Sequence, residues 1–333
     1  MRLENILALT KGSLFGEPSV SIFESVVFDP SKVKRGSLFI AYSSDDISEA
    51  IQNSAYGVVF DKPTQISDSE IAWIKVADID EALKKLLRFY LLEKELQVYA
   101  CDPITLHLSS MISTPPIFCN IEGAVREIWE KLWSLEKKSI VLFSPTLSDT
   151  DIFVEYSQLV HAQENTITII EQTLFETSFI HNDIFYERQM LSPFFIPYLE
   201  RILFFYTFLR IPFQIRGFSK MGHFIPVFTN SRLESKEFGS SDRVVIFEPL
   251  LELIDEQINF LAQATWAKII YLLPEAMRSS LTIGVENIFF YRYSEEVLTI
   301  LQSRIFHFAL VAGVDKGILN PSRSAMKQLE LDF

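Results

Sequence analysis

Apolar residues along this chain fall into short runs of four to six, separated by polar stretches with helix-capping residues, which predicts strands and helices in alternation. In the first 95 residues the runs Ser37 to Tyr42, Gly57 to Phe60 and Ile71 to Val76 are strand-like, and Ile47 to Asn53 suits a helix. Asp78 or Asp80 can cap a second helix whose stripe Ala82, Leu83, Leu86, Leu87 and Tyr90 faces a core. From Val98 the pattern loosens. Strands are expected at Gln97 to Cys101, Ser139 to Phe143 and Thr166 to Glu171, and helices at Gly123 to Leu135, Ile152 to Ala162 and Pro193 to Leu209. Alternation of this kind favours a parallel sheet. The last hundred residues repeat it more cleanly. Strands are expected at Arg243 to Phe247, Lys268 to Leu273, Asn287 to Arg292 and Phe308 to Ala312, with helices at Leu250 to Gln263, Glu275 to Ser280 and Glu295 to Ser303. The polar tail after Pro321 is expected to be loosely held.

Composition narrows the class. The 333 residues are 48% hydrophobic and 22% charged, which excludes a disordered chain and gives length for two or three domains. A formal charge of −13 argues against a general nucleic-acid or anionic-membrane binder. Two cysteines, Cys101 and Cys119, suit a reducing cytoplasm, and the first residues lack a basic segment followed by an apolar one. Phe194 to Phe213 is the most hydrophobic stretch, but Glu200, Arg201, Arg210, Pro197 and Pro212 interrupt it, so it reads as a buried helix rather than a membrane span. A soluble cytoplasmic protein is expected.

Candidate chemistry is sparse. A phosphate-binding loop after the strand Ile140 to Phe143 requires glycines and a lysine, whereas the sequence there is Ser144-Pro145-Thr146-Leu147-Ser148-Asp149-Thr150-Asp151. Pro145 lacks an amide proton and the two aspartates repel phosphate. The loop reads as the capped start of a helix. No Gly-x-Gly-x-x-Gly occurs, and His107, His161, His181, His223 and His307 show no metal-ligand spacing. His181-Asn182-Asp183 reads as turn chemistry, and Cys119 as a small core residue. The most positive segment carries Arg210, Arg216, Lys220 and His223, with Gly217 and Gly222 as joints. It reads either as an anion- or partner-binding loop or as a solvated connection.

Two stretches carry a resemblance. Asp29-Pro30-Ser31-Lys32-Val33-Lys34-Arg35-Gly36-Ser37-Leu38-Phe39-Ile40-Ala41, followed by the helix with Glu49 and Ala50 and then Tyr56-Gly57-Val58-Val59, resembles the N-terminal domain of the Mur ligases, the cytoplasmic amide ligases of peptidoglycan precursor synthesis. In that family the pattern is Thr-Asp-Ser-Arg-x-Val-x-Pro-Gly-x-Leu-Phe-Val-Ala, an Asp-Gly-His loop, a helix and Gly-Ala-x-x-Val-Val. Further on, Ser231-Arg232-Leu233-Glu234, Val245-Ile246-Phe247-Glu248, Ile269 to Leu273 and Leu310-Val311-Ala312-Gly313-Val314 resemble the C-terminal domain of the branch that adds D-alanyl-D-alanine.

The resemblance implies an α/β fold with three-domain Mur-ligase-like architecture, a reduced central domain and open, mostly parallel sheets. The implied domains are 1–97, 98–230 and 231–333. The departures bear on activity: Pro30 and Ser31 stand where the family has Ser-Arg, Ser43-Ser44-Asp45-Asp46 replaces the Asp-Gly-His loop, and the Gly-Lys-Thr phosphate loop, the Asn-Ala-Asn-Pro stretch and the Lys-Gly-Ser element are missing. A carboxylate-phosphorylating ligase needs magnesium, a phosphate cradle and a positive charge. The expectation is therefore a non-catalytic relative with no catalytic residue, metal or cofactor, which binds or scaffolds a protein partner in cell-wall synthesis or cell-shape control. The competing expectations are a divergent ATP-dependent ligase whose phosphate site is the Arg210 to His223 segment, and a sensor of a UDP-sugar or other small ligand.

Overall fold

A computed structural model describes residues 1–148, 150–159, 166–218 and 221–319. The chain divides into two compact units, Met1–His161 with Phe204–Gln214, and Ala162–Leu203 with Ile215–Phe333.

The first unit opens with α1 (Leu3–Thr10), β1 (Ser13–Phe15), β2 (Ser25–Val27), β3 (Ser37–Ala41), α2 (Ile47–Gln52), β4 (Gly57–Phe60), β5 (Ala72–Lys75) and α3 (Ile79–Leu92). The strands form one sheet in the order β1-β5-β4-β3-β2, parallel except for β1 at one edge. Every residue of β3 and β4 is buried, as expected of parallel strands covered on both faces. Gly57 is required there: a Cβ would lie 2.8 Å from the Phe23 ring and 3.0 Å from the Ala72 carbonyl. The Asp78 carboxylate caps α3 by accepting the Glu81 amide at 2.8 Å.

A second sheet is built by β6 (Gln97–Ala100), α4 (Pro103–Met111), β7 (Ile112–Ser113), β8 (Phe118–Gly123), α5 (Val125–Trp133), β9 (Ile140–Ser148) and β10 (Ser157–Gln158). Its order is β10-β6-β9-β8, all parallel. The buried faces of α3 (Leu83, Leu86, Leu87) and α5 (Val125, Ile128, Trp129, Leu132) share one core with Leu38 and Ile40 of the first sheet and Val141 and Phe143 of the second. Tyr90 stacks on Trp133 at 3.6 Å, sealing the seam between the helices.

The helix expected over Ile152 to Ala162 does not form in its described part. Strand β9 runs on to Ser148, a single 3-10 turn covers Thr150–Ile152, and β10 then joins the ladder; residues 160–162 lie outside the described residues. Pairing decides it: Ser157 and Gln158 add to the sheet beside Tyr99 and Ala100, and Phe153 and Tyr156 pack 4.9 and 5.3 Å from the Phe143 ring.

The second unit starts with an antiparallel sheet of β11 (Thr168–Gln172), β12 (Thr177–His181) and β13 (Ile184–Gln189), where parallel pairing was expected. Asn182 and Asp183 explain it. Both have left-handed φ, 49° and 62°, and form a two-residue hairpin turn, a connection only antiparallel strands can use. Helix α6 (Ile196–Phe208) begins in this unit and ends in the first. After β14 (Gln214–Ile215) come β15 (Ile225–Thr229), β16 (Arg243–Glu248), α7 (Ile254–Ala262), β17 (Ile269–Pro274), β18 (Ile288–Tyr291), α8 (Ser294–Ser303) and β19 (Phe308–Ala312). The sheet order is β15-β16-β19-β17-β18, with β15 antiparallel and the rest parallel. The chain moves one way from β16 to β18 and returns to β19, so right-handed crossovers place α7 and α8 on opposite faces. The direction of the chain across the sheet therefore reverses after β18. The expected tail after Pro321 lies outside the described residues.

Leu86 touches the shared core of the first unit and is fully buried. Leu86→Ala should cost ~2–5 kcal/mol of unfolding free energy, read from urea denaturation by far-UV circular dichroism, with the fluorescence of Trp129 and Trp133 changing in the same transition.

Candidate functional site

Three places could carry chemistry in a fold of this kind: the segment after β9 and the two crevices at the C-terminal ends of the parallel strands. The segment after Phe143 lacks the residues of an anion cradle. Ile140 to Phe143 pair with both neighbouring strands, the ladder to β8 then shifts, and it resumes only at Ser148 opposite Gly123, so Ser144 to Leu147 bow out of the ladder. They hold no glycine and no lysine, and Pro145 offers no amide proton to a phosphate. The hydroxyls are used locally: Ser144 and Thr146 lie 3.1 Å apart, and Ser148 donates to the Ile121 carbonyl at 3.2 Å. Asp151 gives its carbonyl to the Arg88 guanidinium, and Asp149 lies outside the described residues.

At the C-terminal edge of the first sheet, Tyr42 follows β3, Lys62 follows β4 and Asp78 follows β5. The Tyr42 hydroxyl donates to Asp80 at 2.5 Å, Lys62 Nζ donates to the Tyr42 carbonyl at 3.0 Å, and the Arg126 guanidinium lies 4.8 Å from the Tyr42 ring. Burial and the Asp80 carboxylate hold the Tyr42 proton far above its ordinary range. The cations Lys62 and Arg126 thus sit among Asp45, Asp46, Asp61, Asp78 and Asp80, an acidic edge that disfavours a polyphosphate.

The C-terminal end of the last sheet beside β16 and β19 is built around Glu248, the last residue of β16, which is 0% exposed. Its carboxylate accepts four hydrogen bonds, from His223 Nδ1 at 2.7 Å, the amides of Phe224 at 3.0 Å and Leu250 at 2.8 Å, and Gln257 Nε2 at 2.5 Å. With a carboxylate as acceptor, Nδ1 carries the ring proton. The Glu248 carbonyl accepts the Gly313 amide at 2.7 Å, and Tyr291 donates to the Ala312 carbonyl while burial pushes its hydroxyl up to about 12. Gly313 has φ of 72°, which favours glycine. A cavity of about 420 Å³ borders this cluster, lined among others by Ser192, Met221, His223, Pro226 and Lys316. The ends of β16 and β19 are thus occupied by the chain's own side chains.

The residues singled out in the sequence fall in separate settings. Arg210 belongs to the first unit, is exposed, and sits just past α6 with a left-handed φ of 56°. Arg216 is exposed in the second unit, His223 is held by Glu248, and Lys220 lies outside the described residues. His181 is a buried hairpin residue with Nδ1 2.9 Å from the Thr166 carbonyl. Cys119 is buried and burial raises its thiol, as for a core residue. No group of three or more His, Cys, Asp or Glu among the described residues could hold a metal ion. Sequence reasoning passed over Glu248 and Gln257. The only signal was a carboxylate closing the apolar run Val244-Val245-Ile246-Phe247.

No protein-family model and no curated protein matches the sequence. Solved structures do. The chain is similar to MurF from Acinetobacter baumannii over 98% of both chains, at 10% identity and a TM-score of 0.55. It is similar to MurF ligase from Thermotoga maritima in complex with ADP over 92% of this chain and 97% of that one, at 12% identity and a TM-score of 0.52. The fold is that of the Mur ligases. Within this Mur ligase fold the segment Ser144 to Ser148 holds no glycine or lysine, and the C-terminal end of β16 is closed by Glu248.

Glu248→Ala leaves His223, Gln257 and two amides without their acceptor. It should cost ~3–5 kcal/mol in chemical denaturation, and Glu248→Gln distinctly less.

Proposed function

We propose that this chain is a non-catalytic relative of the Mur ligases that acts by binding, as a partner or scaffold in bacterial peptidoglycan precursor synthesis or cell-shape control. Its domains are proposed to follow the family plan, as 1–97, a reduced 98–230 and 231–333, working in the cytoplasm. Among the described residues, no helix is long and apolar enough to cross a membrane. One observation carries the proposal. Where a ligase of this fold needs a phosphate cradle, Ser144 to Ser148 hold no glycine and no lysine, and Pro145 has no amide proton to give, so the groups that must converge on a triphosphate are missing from the segment. The acidic edge holding Asp45, Asp46, Asp61, Asp78 and Asp80 supports a binding role without a nucleotide.

The alternative of a divergent ligase rests on Arg210, Arg216, Lys220 and His223 as phosphate ligands. It requires His223 to leave a fully buried carboxylate. A UDP-sugar sensor is the remaining reading, with Lys62 and Arg126 as its cations.

Isothermal titration with magnesium-ATP and with uridine nucleotides, together with a phosphate-release assay on muramyl-peptide substrates, tests the proposal. Neither nucleotide should bind at 1 mM-scale concentrations, on the order of −4 kcal/mol, and no phosphate should be released. Substrate-coupled release that falls in Arg216→Ala would establish the ligase reading instead.

A further inference from the structure

A cavity in the second unit lies at the opposite end of its parallel sheet from Glu248. It measures about 950 Å³, at the upper end of ligand-pocket sizes. Val244, near the start of β16, and Phe308, the first residue of β19, line its floor. Its walls are rings. Phe175 stands at the centre, with its centroid 6.0 Å from Phe228, 6.4 Å from Phe238 and 6.1 Å from Phe308, while Trp266 lies 5.8 Å from Phe308. Trp266 is 71% exposed and Phe238 44%, so two large rings stand at the mouth with a face toward solvent.

A second feature adjoins it. Gln172 and Thr173, at the end of β11, line the cavity, and β11 is an edge strand whose five residues are all exposed. Alternate residues of such a strand aim both N–H and C=O away from the sheet, free to pair with an added strand. The ladder to β12 shifts between Ile169 and Glu171, which sets Glu171 and Gln172 in their own register beside the cavity. A smaller groove of about 330 Å³ continues over Glu171 and Ser178 and shares Gln172, Thr173, Glu176 and Arg188 with the cavity.

The charge around this opening has a sign. Arg188 is neutralised by Glu176 at 3.2 Å, leaving the carboxylates Glu171 and Asp242 exposed. Helix α7 ends here as well: Phe260, Gln263 and Ala264 line the cavity, and the C-terminus of a helix carries partial negative charge. An exposed strand edge, an aromatic socket beside it and an acidic rim are the elements of strand-addition recognition, in which backbone pairing supplies affinity and a pocket selects one side chain.

We propose that this surface binds an extended, basic segment of a partner protein, which adds as a strand along β11 and seats one aromatic side chain among Phe175, Phe228, Phe238 and Trp266. The proposal deepens the binding role inferred above and rests on it only in requiring a polypeptide partner.

The test uses the full chain and a labelled nine-residue peptide, Lys-Val-Lys-Val-Phe-Val-Lys-Val-Lys, followed by fluorescence anisotropy. Saturable binding is expected, about 10-fold weaker for Trp266→Ala and for Phe238→Ala, and weaker again when the peptide phenylalanine is replaced by alanine. Because both ring residues are exposed, the variants should keep the parent circular dichroism. Glu171→Gln and Asp242→Asn should weaken binding and flatten its salt dependence, and hydrogen exchange should slow at residues 168–173 when peptide is present. Absence of saturable binding, equal binding by the Trp266→Ala variant or by a peptide with glutamate for lysine, or equally tight binding of phenethylamine alone would overturn the proposal; the last result would make the cavity a small-amine site. The nucleotide and phosphate-release measurements are separate, so a catalytic chain that binds this peptide and a non-catalytic chain that does not are told apart.

Discussion

Helix α3 is the constraint on which the first unit depends. Its apolar face is buried by side chains from both parallel sheets, so neither sheet has a complete core without it. A single 14-residue helix therefore couples two sheets of different strand order. The coupling dictates the path of the chain beyond it: α5 must lie along α3 to stack Trp133 on Tyr90, β9 must emerge beside β8, and Ile152 must turn back beneath α3 rather than start a helix of its own. The path of the chain from β9 to Phe153 is thus part of the packing. The strand is extended because the residues after it are needed in the core.

The second unit obeys a different constraint. Its parallel strands end at a buried carboxylate whose four donors come from the turn before β15, the loop after β16 and helix α7. A buried carboxylate with every acceptor position engaged tolerates little displacement of its donors. Open sheets usually leave this end free for ligands. Here that end is filled by the Glu248 cluster, while the opposite end keeps the rings of Trp266 and Phe238 exposed.

How much of the fold was legible in the sequence depends on how local each signal is. The strands β3, β4, β16, β17 and β19 were legible because each is a continuous apolar run buried on both faces, and α3 because its stripe and its Asp78 cap agree. The turn at Asn182 and Asp183 was legible from turn chemistry, but its strands were not, since Ile184 and Phe185 are exposed and break the alternation. Helix α1 escaped because Arg2 at its start provides no capping side chain to mark it. At the candidate site the limits are sharper. Glu248 reads as the polar exit of a strand, and its burial depends on residues 25 and 9 positions away. The aromatic cavity draws its rings from Phe175, Phe228, Trp266 and Phe308, which no local window brings together.

The pairing of Gly123 with Ser148 has a consequence for how such a chain can change. A side chain can be exchanged by one substitution, but the path of Ser144 to Leu147 is pinned at both ends, by Phe143 in the ladder and by Ser148 opposite Gly123. A lysine placed at Thr146 or a glycine at Pro145 adds a charge or a free amide without turning the neighbouring amides toward one point. In evolutionary terms the segment is a ratchet. Phosphate binding there is not regained one residue at a time, because the charge, the free amides and their convergence are useful only together.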